Sequence, residues 1–217
     1  MSKIIFDNTG EKLYETGVDH CVLYVRDGNA YQTGVAWNGI TAINENPSGA
    51  EATAIYADNI KYLNIVSGED FGATIEAYTY PDEFTECDGS AEIVPGVKIG
   101  QQTRKPFALC YRTLIGNDVA GTGHGYKLHF IYNAQAAVSA KNYKTINESP
   151  EAMSFSWEIS TTPEVVEGYK PTASVTVDST KVDPTKLKTL EEKIYGTDSA
   201  EPSMPSISEI ISIIGKN

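Results

Sequence analysis

The sequence predicts a mainly β protein, an antiparallel β-sandwich or barrel with one short mid-chain helix and helices at its C-terminus. Three observations carry that expectation. Most of the chain alternates apolar and polar residues with period two, the pattern of half-buried strands. Turn signals punctuate the alternation at Asp27-Gly28, Asn46-Pro47-Ser48-Gly49 and Gly121–Gly125. Only beyond residue 183 does the spacing become helical. About eight strands in one body lead to a sandwich or barrel.

In chain order, Cys21–Arg26 is a β-rich run closed by Asp27-Gly28, a hairpin signal. Val35–Trp37 leads through Gly39 to Ile40–Ile43, a second strand with a bend. Residues 44–59 read as a long polar loop, too polar for a core element. Ile60–Val66 and Ala73–Tyr80 are strands joined by Ser67–Asp70, which predicts that the two form a hairpin. Pro81–Gly89 reads as one short helix, opened by proline, acidic in its first turn and closed by glycine. Thr103–Leu114 is a long strand with Phe107, Leu109 and Tyr111 on one face. The glycine-rich stretch Gly121–Gly125 reads as a hairpin loop. Tyr126–Ala134 alternates Leu128, Phe130 and Tyr132. Met153–Ser160 alternates most cleanly, with three serines and Glu158 on its polar face. Ala173–Val177 is the last strand.

The chain then divides, with a β-domain over 1–182 and a helical extension over 183–217. Asp183 caps a helix that Pro184 opens, Leu187, Leu190 and Ile194 line, and Gly196 ends. Ser206 and Glu209 have the spacing of a capping box, and Ile207, Ile210, Ile211 and Ile214 form one apolar stripe. Such a stripe docks on its own domain or on a neighbouring subunit.

The formal charge of −12 argues against a protein that grips nucleic acid through a basic surface. The excess is local. Residues 45–92 hold eleven acids and one base, Lys61, whereas residues 93–117 hold no acid and the four bases Lys98, Arg104, Lys105 and Arg112. The two blocks are read as faces that meet between copies, or as an acidic wall facing something anionic. The start of the chain is not read as a signal peptide, and no stretch is long and apolar enough for a membrane span. Cys21, Cys87 and Cys110 are widely spaced and read as free thiols. The sequon Asn147-Glu148-Ser149 is read as a coincidence in a turn.

No residue pattern points to catalysis, a metal or a cofactor. The histidines, His20, His124 and His129, fit no zinc motif. Gly121–Gly125 lacks the phosphate-loop lysine and the following helix. No Gly-x-Ser-x-Gly elbow occurs, which disfavours a hydrolase. Asp82, Glu83, Glu86 and Asp88 are read as helix-dipole partners. A carbohydrate-binding β-sandwich using its tyrosines with Trp37 or Trp157 is the alternative function.

The run Gly34–Thr41 (GVAWNGIT) resembles the major tail tube proteins of long-tailed bacteriophages, siphophages of Gram-positive hosts in particular. So do the block at 48–84, SGAEATAIYADNIKYLNIVSGEDFGATIEAYTYPDEF, and the segments IGQQTRKPFALCYRTLIGND, YKLHFIYNA, SPEAMSFSWEISTTP and TASVTVDSTKVD. The resemblance covers nearly the whole chain, apart from loops 27–33 and 119–125 and about the last twenty residues. It implies the phage tail tube fold, related to type VI secretion tube proteins. Protomers of that fold close into hexameric rings that stack into a hollow tube, and DNA passes through the lumen without specific binding. The implied partners are the tape measure, tail terminator and distal tail proteins, with no membrane. The implied place is the virion tail, after synthesis in the host bacterial cytoplasm. Inter-subunit contacts are expected at Asn46, Pro47, Glu51, Tyr56 and Asp58 of the 44–59 loop, at Arg104, Lys105 and Arg112, and at Ile210, Ile211 and Ile214. Hairpins around Ile60–Tyr80 and Phe107–Ser160 are expected to pair edge to edge with neighbours. Either Glu76 or the face of Ser154, Ser156, Glu158 and Ser160 is expected to line the lumen.

Overall fold

The computed structural model describes residues 4–146 and 151–215; the sequon at Asn147 lies outside them. Its elements are β1 (Tyr14–Asp27), β2 (Ala30–Tyr31), β3 (Val35–Ala36), β4 (Ile40–Glu45), β5 (Ser48–Gly49), β6 (Ala52–Ala57), β7 (Ile60–Val66), β8 (Glu69–Asp70) and β9 (Gly72–Ala77). A 3-10 turn follows at Asp82–Glu86. Then come β10 (Ala91–Val94), β11 (Val97–Ile99), β12 (Phe107–Asn117), β13 (Gly121–Ala136), β14 (Phe155–Thr161), β15 (Ser174–Asp178), α1 (Pro184–Tyr195) and α2 (Ile207–Gly215).

Nine strands form one antiparallel sheet whose main path runs β2-β1-β12-β13-β14-β9-β4, with β15 on β13 and β3 on β1. The path ends at β4 without bonding back to β1, so the sheet is sandwich-like and does not close into a barrel. Its two lobes fold over each other. β1, β12 and β13 make one lobe, and β14, β9 and β4 make the other.

Alternation along the first lobe supplies two cores. Leu23, Val25, Phe107, Leu109, Tyr111, Ile131 and Ala134 point between the lobes, toward Ile75, Trp157 and Ile159 of the second. Phe84 of the 3-10 turn is driven into the same space, 4.4 Å from the Trp37 ring and 5.1 Å from that of Trp157. The opposite side chains, Val22, Tyr24, Ala108, Cys110, Leu128, Phe130 and Tyr132, pack under Leu187, Leu190 and Ile194 of α1 and Ile207 and Ile210 of α2. Two buried tyrosines tie the helical layer down. The Tyr24 hydroxyl donates to the Ile194 carbonyl at 2.6 Å and that of Tyr132 to the Pro205 carbonyl at 2.9 Å. These two bonds satisfy polar groups that burial would otherwise leave costly.

The capping expectations hold at both helices. The Asp183 carboxylate accepts from the Thr185 and Lys186 amides, and Gly196 ends α1 with φ 76°, the conformation glycine adopts freely. Ser206 and Glu209 exchange bonds across the start of α2. The three cysteines are free and buried; burial pushes the thiols of Cys21 and Cys87 up to about 12.

Three local expectations are corrected. The strand at 60–66 does not form a hairpin with the strand at 73–80. It pairs back on Ala52–Ala57, and β9 pairs with β4 and β14. The intervening residues 67–70 carry the ribbon onward through a β5–β8 pair, so Ile40–Ala77 is one long hairpin. Residues 44–59 are accordingly not a loop but half of that ribbon. The polar side chains that suggested a loop are there because no core lies beneath. The Gly121–Gly125 stretch is the start of β13, and the turn falls at Asn117–Gly121. Asn117 is the reason, because its side-chain oxygen accepts from the Val119 and Ala120 amides and closes the turn before the glycines arrive.

Candidate functional site

Three surfaces stand out once the core is subtracted. The first is the outer face of the second lobe. Registers Ser156↔Glu76 and Glu158↔Thr74 between β14 and β9, and Asn44↔Thr74 between β4 and β9, put these side chains on one face, opposite Trp157, Ile75 and Ile43. Glu76, Ser156 and Glu158 therefore share one surface, and Ser154 lies just before β14. The residues named here are small, polar or acidic, and none is a base. Asn44 donates to Glu76 at 3.4 Å.

The second surface is the distal half of the Ile40–Ala77 hairpin, an arm of β6 and β7. The pairs Thr53↔Ile65, Ile55↔Leu63 and Ala57↔Ile60 fall on one face, which carries no charge. The other face holds Ala54, Asn64, Tyr56 and Lys61. A bulge between Ile55 and Tyr56 accommodates Tyr62. Every residue of β7 is exposed. The tip turns at Asp58-Asn59, both with positive φ, 51° and 62°, which is the type I′ hairpin turn. That dipeptide was the signal for the hairpin, and reading the region as polar loop overlooked it. Asn46, Pro47, Glu51, Tyr56 and Asp58 all lie along this ribbon. Asn46 fixes its root, its amide donating to the Gly72 carbonyl at 2.8 Å and its side chain to Thr74 at 3.0 Å.

The third surface, absent from the sequence reading, is the β10–β11 hairpin. Its turn is Val94-Pro95-Gly96-Val97, with Gly96 at φ 83°, the Pro-Gly signature of a type II turn. Glu92↔Lys98 lie on one face, Ala91↔Ile99 and Val94↔Val97 on the other.

The basic stretch finds its partners inside the protomer. Lys98 donates to Asp82 at 2.7 Å and Thr85 at 3.0 Å. Lys105 pairs with Glu86 at 2.7 Å. Arg104 donates to the Asp88 carbonyl at 3.1 Å. Arg112 grips Asp19 through two bonds of 2.7 and 2.8 Å, which hold the Asp19 carboxyl below its usual range. Two of these cations, Lys98 and Lys105, thus pair with acids of the neighbouring acidic block within the chain.

The isoleucine stripe divides likewise. Ile210 is 3% exposed in its own core and Ile214 packs partly against it, whereas Ile211 is 54% exposed. β12 and β9 have strand neighbours on both sides, whereas β14 meets β13 only over Ile159–Thr161 and leaves Phe155–Trp157 open on that side; β4, β15 and the arm also have open edges. Trp37 and Trp157 are buried, which removes them as sugar-stacking platforms.

His129 lies on β13 between Thr113, at 2.9 Å, and Thr176, at 3.3 Å, and stacks on Tyr111. Burial lowers its pKa. Among the described residues no three His, Cys, Asp or Glu side chains stand together as a metal site, and no helix is long and apolar enough to cross a membrane.

No family model matches the chain, and no curated protein matches it. Among solved structures, the fold is similar to a chain of the anti-feeding prophage baseplate (TM-score 0.39, 6% identity, covering 80% of this chain and 97% of that one). It is also similar to a chain of an extracellular contractile injection system sheath–tube complex, PVC, in the extended state (TM-score 0.32, 11% identity, 73% and 88% covered). Likeness of this degree carries nothing about what the chain binds.

Proposed function

We propose that this chain is a structural virion protein whose copies close into hexameric rings and stack into the hollow tail tube through which phage DNA passes. The observation that carries the reading is the arm. A two-stranded ribbon without a third strand or a covering layer is marginal in water, and this one presents an uncharged apolar face to solvent. Such a face is built for a partner. The tube resemblance of the sequence, which includes the arm residues 48–70, supplies the partner as further copies of the same chain. Tape measure, terminator and distal tail proteins complete the assembly.

The acid-bearing face of Glu76, Ser156 and Glu158 is the lumen wall in this reading. DNA affinity comes mainly from Lys and Arg neutralising phosphates, so a wall of hydroxyls and carboxylates repels the duplex weakly and gives it no anchor. The protein works in the virion tail after synthesis in the host cytoplasm.

Negative-stain microscopy of the concentrated protein tests the proposal, with rings or tubes around a central hole as the expected result. A chain that stays monomeric at high concentration and binds a glycan would overturn it in favour of the carbohydrate-binding alternative.

A further inference from the structure

Strand β13 leaves the sheet before its sequence stops reading as a strand. It pairs with β14 at Ala134↔Thr161, Gln135↔Ser160 and Ala136↔Ile159, and the Ala137 amide still donates to the Glu158 carbonyl at 2.8 Å. There the ladder ends. Among the described residues, 138–146 make no backbone–backbone hydrogen bond. The alternation nevertheless continues, with Ala136, Val138 and Ala140 interleaved by Ala137, Ser139 and Lys141. Carried on in the same register, Val138 would stand opposite Trp157, Ser139 opposite Ser156 and Ala140 opposite Phe155. Partners across an antiparallel ladder share a face. The apolar residues would therefore meet inside, as Ala136 already meets Ile159, and the two serines outside. Instead, Val138 is 84% exposed.

β14 is set up for the same pairing. A strand residue turns its N–H and C=O to one side, and residues two apart turn theirs the same way. Glu158 uses its carbonyl toward β13, so Ser156 also turns its backbone groups to that side, where no strand meets them. Ser139 is the residue that would bond them.

Lys141 holds the chain away. Its ammonium stands 5.1 Å over the Tyr80 ring and donates to the Asp88 carboxylate. That carboxylate is 7% exposed and also accepts the Trp157 indole N–H at 3.1 Å. Among the described residues this is the one ion pair that ties 138–146 to the body. In the longer ladder Lys141 would fall on the outer face, opposite Ser154 and away from Asp88. A buried carboxylate would then lack its cation, which is costly. The open ladder forgoes only backbone bonds at an exposed edge, whose groups water satisfies.

We propose that residues 138–140 are a switch strand with two positions, and that the Lys141–Asp88 pair is its latch. Latched, the segment lies off the sheet and the β14 edge at Ser156 is open. Unlatched, it zips onto Phe155–Trp157 and closes that edge from within the same chain. The two positions differ in whether β14 can take a strand from elsewhere, because an open edge is a template for pairing. The choice is between two discrete packings and is internal to one chain, so it stands whether or not copies assemble.

Amide hydrogen exchange of the dilute full-length chain tests the switch, since it reports which amides hold lasting partners. In the wild type, the Ser139 and Ser156 amides are expected to exchange fast. Lys141→Met keeps a stem over Tyr80 and removes the ammonium; Asp88→Asn keeps an acceptor for the indole and removes the charge. Each variant is expected to slow both amides by about tenfold or more and to bring the Hα protons of Val138 and Trp157 into NMR contact. Either variant decides the matter if the other does not fold. Adding Ser139→Pro to Lys141→Met deletes a donor of the longer ladder and is expected to restore fast exchange at Ser156. If Lys141 is only a fastening, its loss leaves Ser156 fast and 138–146 no slower, and that result overturns the proposal. Slow exchange at both serines in the wild type overturns it too, because the segment would then be zipped at rest.

Discussion

Strands β7 and β12 have similar apolar content and opposite fates. β7 reads Ile-Lys-Tyr-Leu-Asn-Ile-Val and has every residue exposed; β12 begins Phe-Ala-Leu-Cys-Tyr and has all five of these buried. The difference is neighbourhood. β12 lies between β1 and β13, with the second lobe over one face and the helices over the other. β7 has β6 on one side and, among the described residues, no strand on the other, and all of its residues are exposed. Apolar residues in β12 hold the protomer together, whereas those in β7 cover no core.

The sharpest way to probe the contrast is to cut the core where it is densest. Trp157→Ala removes the ring that meets Trp37, Tyr80, Phe84 and Phe155, and strips Asp88 of its indole donor at 3.1 Å. Urea unfolding should show a loss of about 3–5 kcal/mol. Ile210→Ala should cost about 3 kcal/mol by the same measurement, and Ile211→Ala one turn face away less than about 0.5 kcal/mol. Equal losses would mean that the stripe docks differently. Tyr132→Phe deletes only the hydroxyl on the Pro205 carbonyl and should cost about 1 kcal/mol.

Acid gives a graded version of the same comparison. His129 has its folded pKa below the unfolded value because burial disfavours the imidazolium. The unfolded chain therefore takes up its proton first as pH falls. The stability His129 confers is present above about 6.5 and declines as pH drops through the folded value. Thermal midpoints should fall between pH 7 and 5, and a His129→Gln variant should show a shallower slope there. The smallest effect belongs to the arm, where Leu63→Ser should change monomer stability by less than about 0.5 kcal/mol while impairing assembly. A large stability loss in Leu63→Ser would erase the distinction between the two strands.

Much of this was readable in the residues. Period two located β12, β13 and β14 and assigned their faces, because each has at least one face on a core. Asp183-Pro184 and Ser206 with Glu209 marked the helices, since capping is local chemistry. The arm was misread for a physical reason. A ribbon without a core has no need to alternate, so Asn46–Asn59 resembled a loop and only the Asp58-Asn59 turn betrayed it. The β10–β11 hairpin went unseen because four apolar residues around Pro95-Gly96 are too few for a pattern. Ion partners such as Lys105–Glu86 are set by the chain's path through space, which charge counts do not record.

The unbroken hairpin from Ile40 to Ala77 also sets rules for how the molecule can change over generations. Adding two residues to each of its strands lengthens the reach by roughly 7 Å and keeps every side chain on its face. Adding one residue per strand turns the apolar face over. Reach is thus adjustable in steps, like links in a chain, while the strands at the root, β4 and β9, stay in register. A lineage can retune how far the arm extends without redesigning the body that carries it.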